Sequence, residues 1–179
     1  MIKNTSNTYG SISRLFHWII GIMIIIMLCV GFYMTDLAPS DQKWEIYGMH
    51  KATGVILLVL VILRMSWRLI NIIPDLPNTM PTLHSVGYKL GVKLQYLFMF
   101  LMPSSGILMS LFAGKDIPIY GIFTIKAFEA NKDLSTVCHT IHEYSSIALA
   151  CAIGLHVSMA LYHHFVVKDR LLMRMIVGK

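Results

Sequence analysis

The sequence is short of charge. Only 13% of its 179 residues are Asp, Glu, Lys or Arg, about half the share usual in soluble domains. With 56% hydrophobic residues, that shortage excludes an ordinary globular protein and a disordered one. Acids are the scarcer sign, nine against fifteen Lys and Arg, for a net charge of +6. The basic residues flank apolar runs and form no tract, so they speak for membrane orientation and not for nucleic acid. Cysteine is scarce too: Cys29, Cys138 and Cys151, with no CxxC or CxxCH. That excludes covalent c-type haem attachment and leaves no basis for a disulfide framework. Cys29 and Cys151 stand in apolar runs and read as small core residues. The polar N-terminus lacks the signal-peptide order of charge, short apolar core and small-residue cleavage site, so the first apolar run is expected to remain in the mature protein. No phosphate-binding glycine loop or nucleophile triad occurs.

What is present in quantity is long apolar runs. A spanning helix needs about 20 mostly apolar residues. Leu15–Thr35, Ile46–Trp67, Leu94–Gly114 and Tyr144–Val167 meet that length, and predict an all-α integral membrane protein with a four-helix transmembrane bundle as one domain over 1–179. Residues 36–45 predict a short polar turn, 71–88 a loop broken by Pro74, Pro77 and Pro81, and 115–138 a longer polar loop. Pro103 inside the third span predicts a kink near Leu101. Four spans put both termini on one side. That side holds Lys3, Arg14, Arg64, Arg68, Lys89, Lys93, Lys168, Arg170, Arg174 and Lys179 against only Asp75 and Asp169. The basic side stays cytoplasmic, so both termini are expected inside.

The chemistry lies in the histidines, because ionisable groups inside a span are costly and default to function. His17 and His156 fall near the inner ends of spans one and four; His50 and His142 fall near the outer starts of spans two and four. His142 and His156 are separated by about 21 Å of helical rise and lie within roughly 40° of the same face. Each level thus draws one imidazole from each of two helices. Facing imidazoles in a bundle core suit bis-His haem ligation, which fills both axial positions and favours electron transfer. Any one histidine alone reads more readily as a hydrogen-bonded core residue; the matched pairs at two depths carry the signal. Gly21, Gly31, Gly54 and Gly154 leave room for a flat macrocycle, and Arg14, Lys51 and Arg64 are candidates for its carboxylates or for snorkelling to headgroups. His139 with His142 has spacing for a surface metal. His142–Glu143 begins a zincin-like motif that Ser146 ends. His163 and His164 read as interfacial residues or as a quinone or proton site, and His84 as solvated in the proline-rich loop. The thirteen Met read as apolar filling.

The segments SRLFHW, YGMHKATG with LRMSWRL, YLFMFLMPSSG, and CHTIHEYSSIALACAIGLHVSMALYHHFVVKDRLLMRM run almost the length of the chain. In them the sequence resembles the bacterial cytochrome b561 family, most of all its short di-haem members that oxidise superoxide. The resemblance implies a bundle enclosing two b-type haems in the bacterial inner membrane, with His17/His156 and His50/His142 as the axial iron ligands. It implies transfer of electrons from periplasmic superoxide to ubiquinone with release of dioxygen, and places His163 near the quinone. For an anionic substrate a cationic outer approach is expected, with Lys51 and Lys126 as its candidates beside Lys115 and Lys132. Relatives often carry a His where this chain has Val92, which is no expected haem ligand. Two alternatives stand: a cytochrome b subunit linking a partner dehydrogenase or hydrogenase to the quinone pool, and a non-redox small transporter or metal-binding membrane protein.

Overall fold

The computed structural model describes residues 1–77 and 80–178; Lys179, one of the basic residues expected on the inner side, lies outside them. Four long helices follow the four apolar runs: α1 Ser11–Asp36, α2 Asp41–Leu69, α3 Thr82–Phe112 and α4 Lys132–Tyr162. All four are long and apolar enough to cross a membrane. Ser40 starts α2 by accepting the Lys43 N–H, and Asn131 starts α4 by accepting the Leu134 N–H, each meeting a donor the helix leaves unpaired.

The helices overrun the apolar runs at their polar ends. Residues expected in the loop 71–88 begin α3 at Thr82, directly after Pro81. Residues expected in the loop 115–138 begin α4 at Lys132. Hydrophobicity reports where lipid lies, whereas the backbone ladder continues into water wherever no breaker stops it. α3 continues through Pro103 without interruption. Between α3 and α4 an antiparallel hairpin joins β1 Ile117–Ile119 to β2 Phe123–Ile125. Its turn has Tyr120 at φ 48° and Gly121 at φ 76°, with Ile122 N–H donating to Ile119 C=O at 2.9 Å. Positive φ at both central residues is the type I′ geometry that suits hairpin twist. This small sheet is the one departure from an all-helical fold among the described residues.

Sequential helices pack side by side, α1 on α2, α2 on α3 and α3 on α4, while α1 and α4 are held apart. The mid-bundle core is Ile20, Ile24, Met27, Leu28, Leu57, Val61, Met102 and Leu149. A second cluster, Ala52, Leu111, Ile117 and Ile119, fastens the hairpin to the bundle end expected to be outer. Most other apolar side chains point outward, among them Ile22, Ile26, Val59, Leu63 and Leu155, as lipid-facing residues do. Cys29 and Cys151 are with them, exposed and not in the core as their setting suggested. In a bilayer an apolar neighbourhood marks a span without saying which side of it faces protein.

Beyond α4 the chain makes one π-helical turn, His163–Val167, reverses at Lys168 (φ 60°), and ends in α5, Leu171–Ile176. The C-terminal segment folds back under α1. Arg14 donates to Ile176 C=O at 3.0 Å and Trp18 Nε1 to Met175 C=O at 3.1 Å.

Candidate functional site

The structure brings the histidines together as two pairs. His17 from α1 and His156 from α4 have ring centroids 6.0 Å apart; His50 from α2 and His142 from α4 have theirs 6.5 Å apart. Each pair spans a crevice. The one at His17 and His156, on the side expected to be inner, is about 680 Å³ and partly open to the outside; it lies in the gap between α1 and α4 and includes Gly21, Arg64, Met99 and Leu149. The one at His50 and His142, on the side expected to be outer, is about 430 Å³ and likewise open; it includes Lys51, Gly54, Leu57, Met102, Gly106 and Ile117.

Whether a metal-centred planar group fits here can be tested on the rings. Two metal–nitrogen bonds of about 2.0–2.1 Å, plus about 1.2 Å from each nitrogen to its ring centre, give about 6.5 Å between centroids. Both observed separations lie within about 0.5 Å of that value. His50 Nδ1 is buried with no hydrogen-bond partner, an unusual state for a native polar atom. His142 Nδ1 lies 2.8 Å from the Met102 carbonyl, which fixes this nitrogen as the N–H and leaves Nε2 free to bind a metal. The donor set is imidazole throughout, the chemistry of haem axial ligation. At His17, Arg64 Nη2 stands 3.1 Å from Nδ1. A guanidinium only donates, so Nδ1 accepts here, and a metal on Nε2 would need Arg64 turned elsewhere. With that one adjustment the residues fit.

Glycines admit the rings. A Cβ on Gly31 would lie 3.4 Å from His50 Cε1, and one on Gly106 only 2.8 Å from His142 Cε1 and Nδ1. Gly54 has only the Met27 tip at 3.9 Å, and Gly21 and Gly154 face open space. Gly106 is the glycine that sequence reasoning missed; the Pro-Ser-Ser-Gly run that begins at Pro103 was its only signal.

The remaining candidates divide. Lys51 lines the outer crevice beside His50. Lys126 does not; its ammonium is 2.8 Å from Asp116, with the two side chains 80% and 42% exposed. The hydrogen bond from Lys126, then that from the Ala127 N–H, hold the Asp116 carboxyl below its ordinary range. Tyr120 at the hairpin tip reaches Thr53 Oγ1 at 2.6 Å, one turn from His50. His139 lies 4.0 Å from Glu143 on the exposed surface, and no group of three or more His, Cys, Asp or Glu placed to hold a metal ion occurs among the described residues. His163 is buried, with Nδ1 2.6 Å from Asp169 Oδ2. His84 is not solvated in a loop. It sits in the first turn of α3 with Nδ1 buried, its ring 5.3 Å from that of His163. The early start of α3 carries it onto the bundle.

Known proteins match this chain in sequence over most of its length. The family described as prokaryotic cytochrome b561 matches residues 8–178. A protein of Escherichia coli (strain K12) named cytochrome b561 homolog 2 is 32% identical over 179 residues, covering 97% of this chain and 93% of that one. A protein of Yersinia pestis named probable superoxide oxidase CybB is 28% identical over 164 residues, covering 91% of this chain and 92% of that one. The chain belongs to the prokaryotic cytochrome b561 family, multi-pass membrane proteins that bind b-type haem and transfer electrons.

Proposed function

We propose that this chain is a di-haem superoxide:ubiquinone oxidoreductase of the bacterial inner membrane, acting as a single cytochrome b561 unit with both termini cytoplasmic. The observation that carries the reading is the pair of imidazole couples, 6.0 and 6.5 Å between centroids, built at two levels of one bundle. His17 and His156 would hold the inner haem, His50 and His142 the outer one. Bound there, haem supplies one-electron transfer between the two faces of the membrane.

The protein's own groups do the rest. The Met102 carbonyl orients His142, and the apolar core between the levels, Met27, Leu57 and Leu149 among it, keeps water from the path. Lys51 places a positive charge at the outer crevice, where an anion such as superoxide is attracted. His163 offers a ring nitrogen on the inner side, where a reduced quinone must gain protons. The charge bias of the loops supports this orientation, and likeness to the Yersinia protein named a probable superoxide oxidase supports the donor.

The test begins with a dithionite-reduced minus oxidised spectrum of the purified chain, with haem quantified per polypeptide. Low-spin b-type bands at about two haems per chain are expected, followed by ubiquinone reduction on adding superoxide. Haem without superoxide activity, together with a co-purifying dehydrogenase, would replace this reading with that of a cytochrome b subunit. A colourless protein made with ample haem would leave a transporter or metal-binding protein.

A further inference from the structure

The inner end of the bundle holds three ionisable side chains that haem ligation does not use. They converge from separate segments: His84 from the start of α3, His163 from the π-turn that follows α4, and Asp169 from the reversal before α5. Asp169 Oδ2 lies 2.6 Å from His163 Nδ1, with side-chain exposures of only 16% and 7%. The carboxylate is itself held, since Oδ1 accepts the Leu171 N–H at 3.0 Å. The turn between them is locked, with Asp169 N–H donating to His163 C=O at 3.1 Å. A π-turn is a rare distortion that recurs at functional sites. Here it is what brings a residue six positions downstream onto the His163 ring.

The consequence is one of valence. With Nδ1–H committed to Asp169, Nε2 is the His163 atom that can meet a substrate, and it has no hydrogen bond among the described residues. The next imidazole is His84, 5.3 Å away at 75°, with Nδ1 buried and unpartnered. A buried nitrogen with no partner is costly and marks a place where a mobile proton, water or ligand oxygen is accommodated. His163 also follows His156 by about 10.5 Å of rise, within about 20° of the same helix face.

We propose that Asp169, His163 and His84 form the line that delivers protons to the inner quinone, a proposal that rests on the quinone reading above. Reduction of a quinone to a quinol takes two electrons and two protons. The two electrons are those that two superoxide anions lose on becoming dioxygen. His163 gives the Nε2 proton to a quinone oxygen: the N–H bond breaks as the O–H bond forms. Asp169 remains ionised; it is a positioning residue that fixes the tautomer and stabilises the imidazolium before transfer. His84 returns a proton to Nε2 and is itself reprotonated from solvent at the bundle end, and a second cycle supplies the second proton.

The experiment uses the haem-loaded full chain in detergent and follows haem reduction by stopped flow from each side separately. The probes are decyl-ubiquinol, which runs the inner proton step in reverse, and superoxide. Asp169→Asn preserves shape and the acceptor for Leu171 N–H but removes the charge. It is expected to slow quinol-driven reduction about 10- to 100-fold with the half-saturating quinol concentration unchanged. Superoxide-driven reduction and the haem spectrum stay as in the wild type. Asp169→Glu restores most of the rate, and His84→Gln reproduces the slowing by an independent route. Wild-type rates in Asp169→Asn and His84→Gln overturn the proposal. So does an equal loss from both electron donors, which marks a structural role. If decyl-ubiquinol fails to reduce even the wild-type haem, the quinone reading itself falls, an outcome distinct from equal rates in wild type and variants.

Discussion

Gly106→Ala is the sharpest perturbation of the outer site. The added Cβ would lie 2.8 Å from both Cε1 and Nδ1 of His142. Ordinary non-bonded contact is about 3.5–4.0 Å, so the overlap is about 0.7–1.2 Å. The imidazole must retreat by that amount. Its hydrogen bond to the Met102 carbonyl is 2.8 Å, and a shift near 1 Å takes it past the limit of a hydrogen bond. Overpacking costs about 1–3 kcal/mol, and the lost bond about 1 kcal/mol more. A penalty of about 2–4 kcal/mol on the geometry that binds iron lowers affinity roughly 30- to 700-fold. Only the outer pair touches Gly106, so haem per polypeptide is expected to fall from about two toward about one, with the inner component of the reduced-minus-oxidised spectrum preserved. Gly91→Ala is the control. It lies in the same helix, its Cβ would meet nothing within 4 Å, and alanine there favours the helix by about 1 kcal/mol. Full haem content and an unshifted spectrum in Gly106→Ala, with the thermal midpoint raised as in Gly91→Ala, would refute the claim that His142 is seated against bare backbone.

The inner site has its own reporter: His156→Ala removes the partner of His17 and is expected to leave about one haem per chain, now with the outer spectrum, read in the same assay. Lys51 and Lys126 should separate. Lys51→Gln lowers the rate of superoxide-driven haem reduction several-fold at low salt, and the difference fades as salt rises. Lys126→Gln changes that rate little, because its charge is already matched by Asp116. Tyr9 gives a pH prediction. Burial, and then Tyr88, whose hydroxyl is 3.3 Å away, raise its pKa above the ordinary value. Its contribution to stability is therefore complete below the unfolded pKa of about 10, and is lost as pH rises beyond that toward the folded value. Tyr9→Phe should abolish this alkaline loss in a melting series, whereas an unchanged alkaline slope would place its origin elsewhere.

How much of this was legible in the sequence depended on whether the physics was periodic. The four spans were, because a bilayer demands a long run of apolar residues. The matched depths of His17 with His156 and His50 with His142 were, because 14 residues of helix fix both height and face. Contacts made across the bundle were not. No hydropathy window sees that α3 continues back to Thr82, yet that extension moves His84 out of water and onto His163. Cys29 and Cys151 looked buried because their neighbours are apolar, and in lipid that inference fails. The hairpin strands are only three residues each, too short for an alternating pattern to stand out. Asp169 was counted merely as one of two acids on a basic side; its pairing with His163 depends on a π-turn that leaves no periodic trace.

One periodic feature joins the legible part to the rest. His142, Leu149, His156 and His163 follow one another at seven-residue steps along α4 and into the π-turn that continues it. A helix drifts only about 20° per seven residues, so the four fall on one slowly turning stripe. The structure gives each a different neighbour from a different helix or segment: Met102 and His50, then the mid-bundle core, then His17, then Asp169 and His84. On the proposed reading that stripe is the order of events, from outer electron entry through a dry apolar spacer and the inner haem to the proton donor. A one-residue insertion between Leu149 and His156 would turn everything beyond it by about 100°. Such a change would take the inner ligand and the proton donor from their partners together while leaving the outer pair in place. On that reading the register of a single helix would couple the two haem levels and the proton site, and would account for three of the eight histidines lying on one stripe.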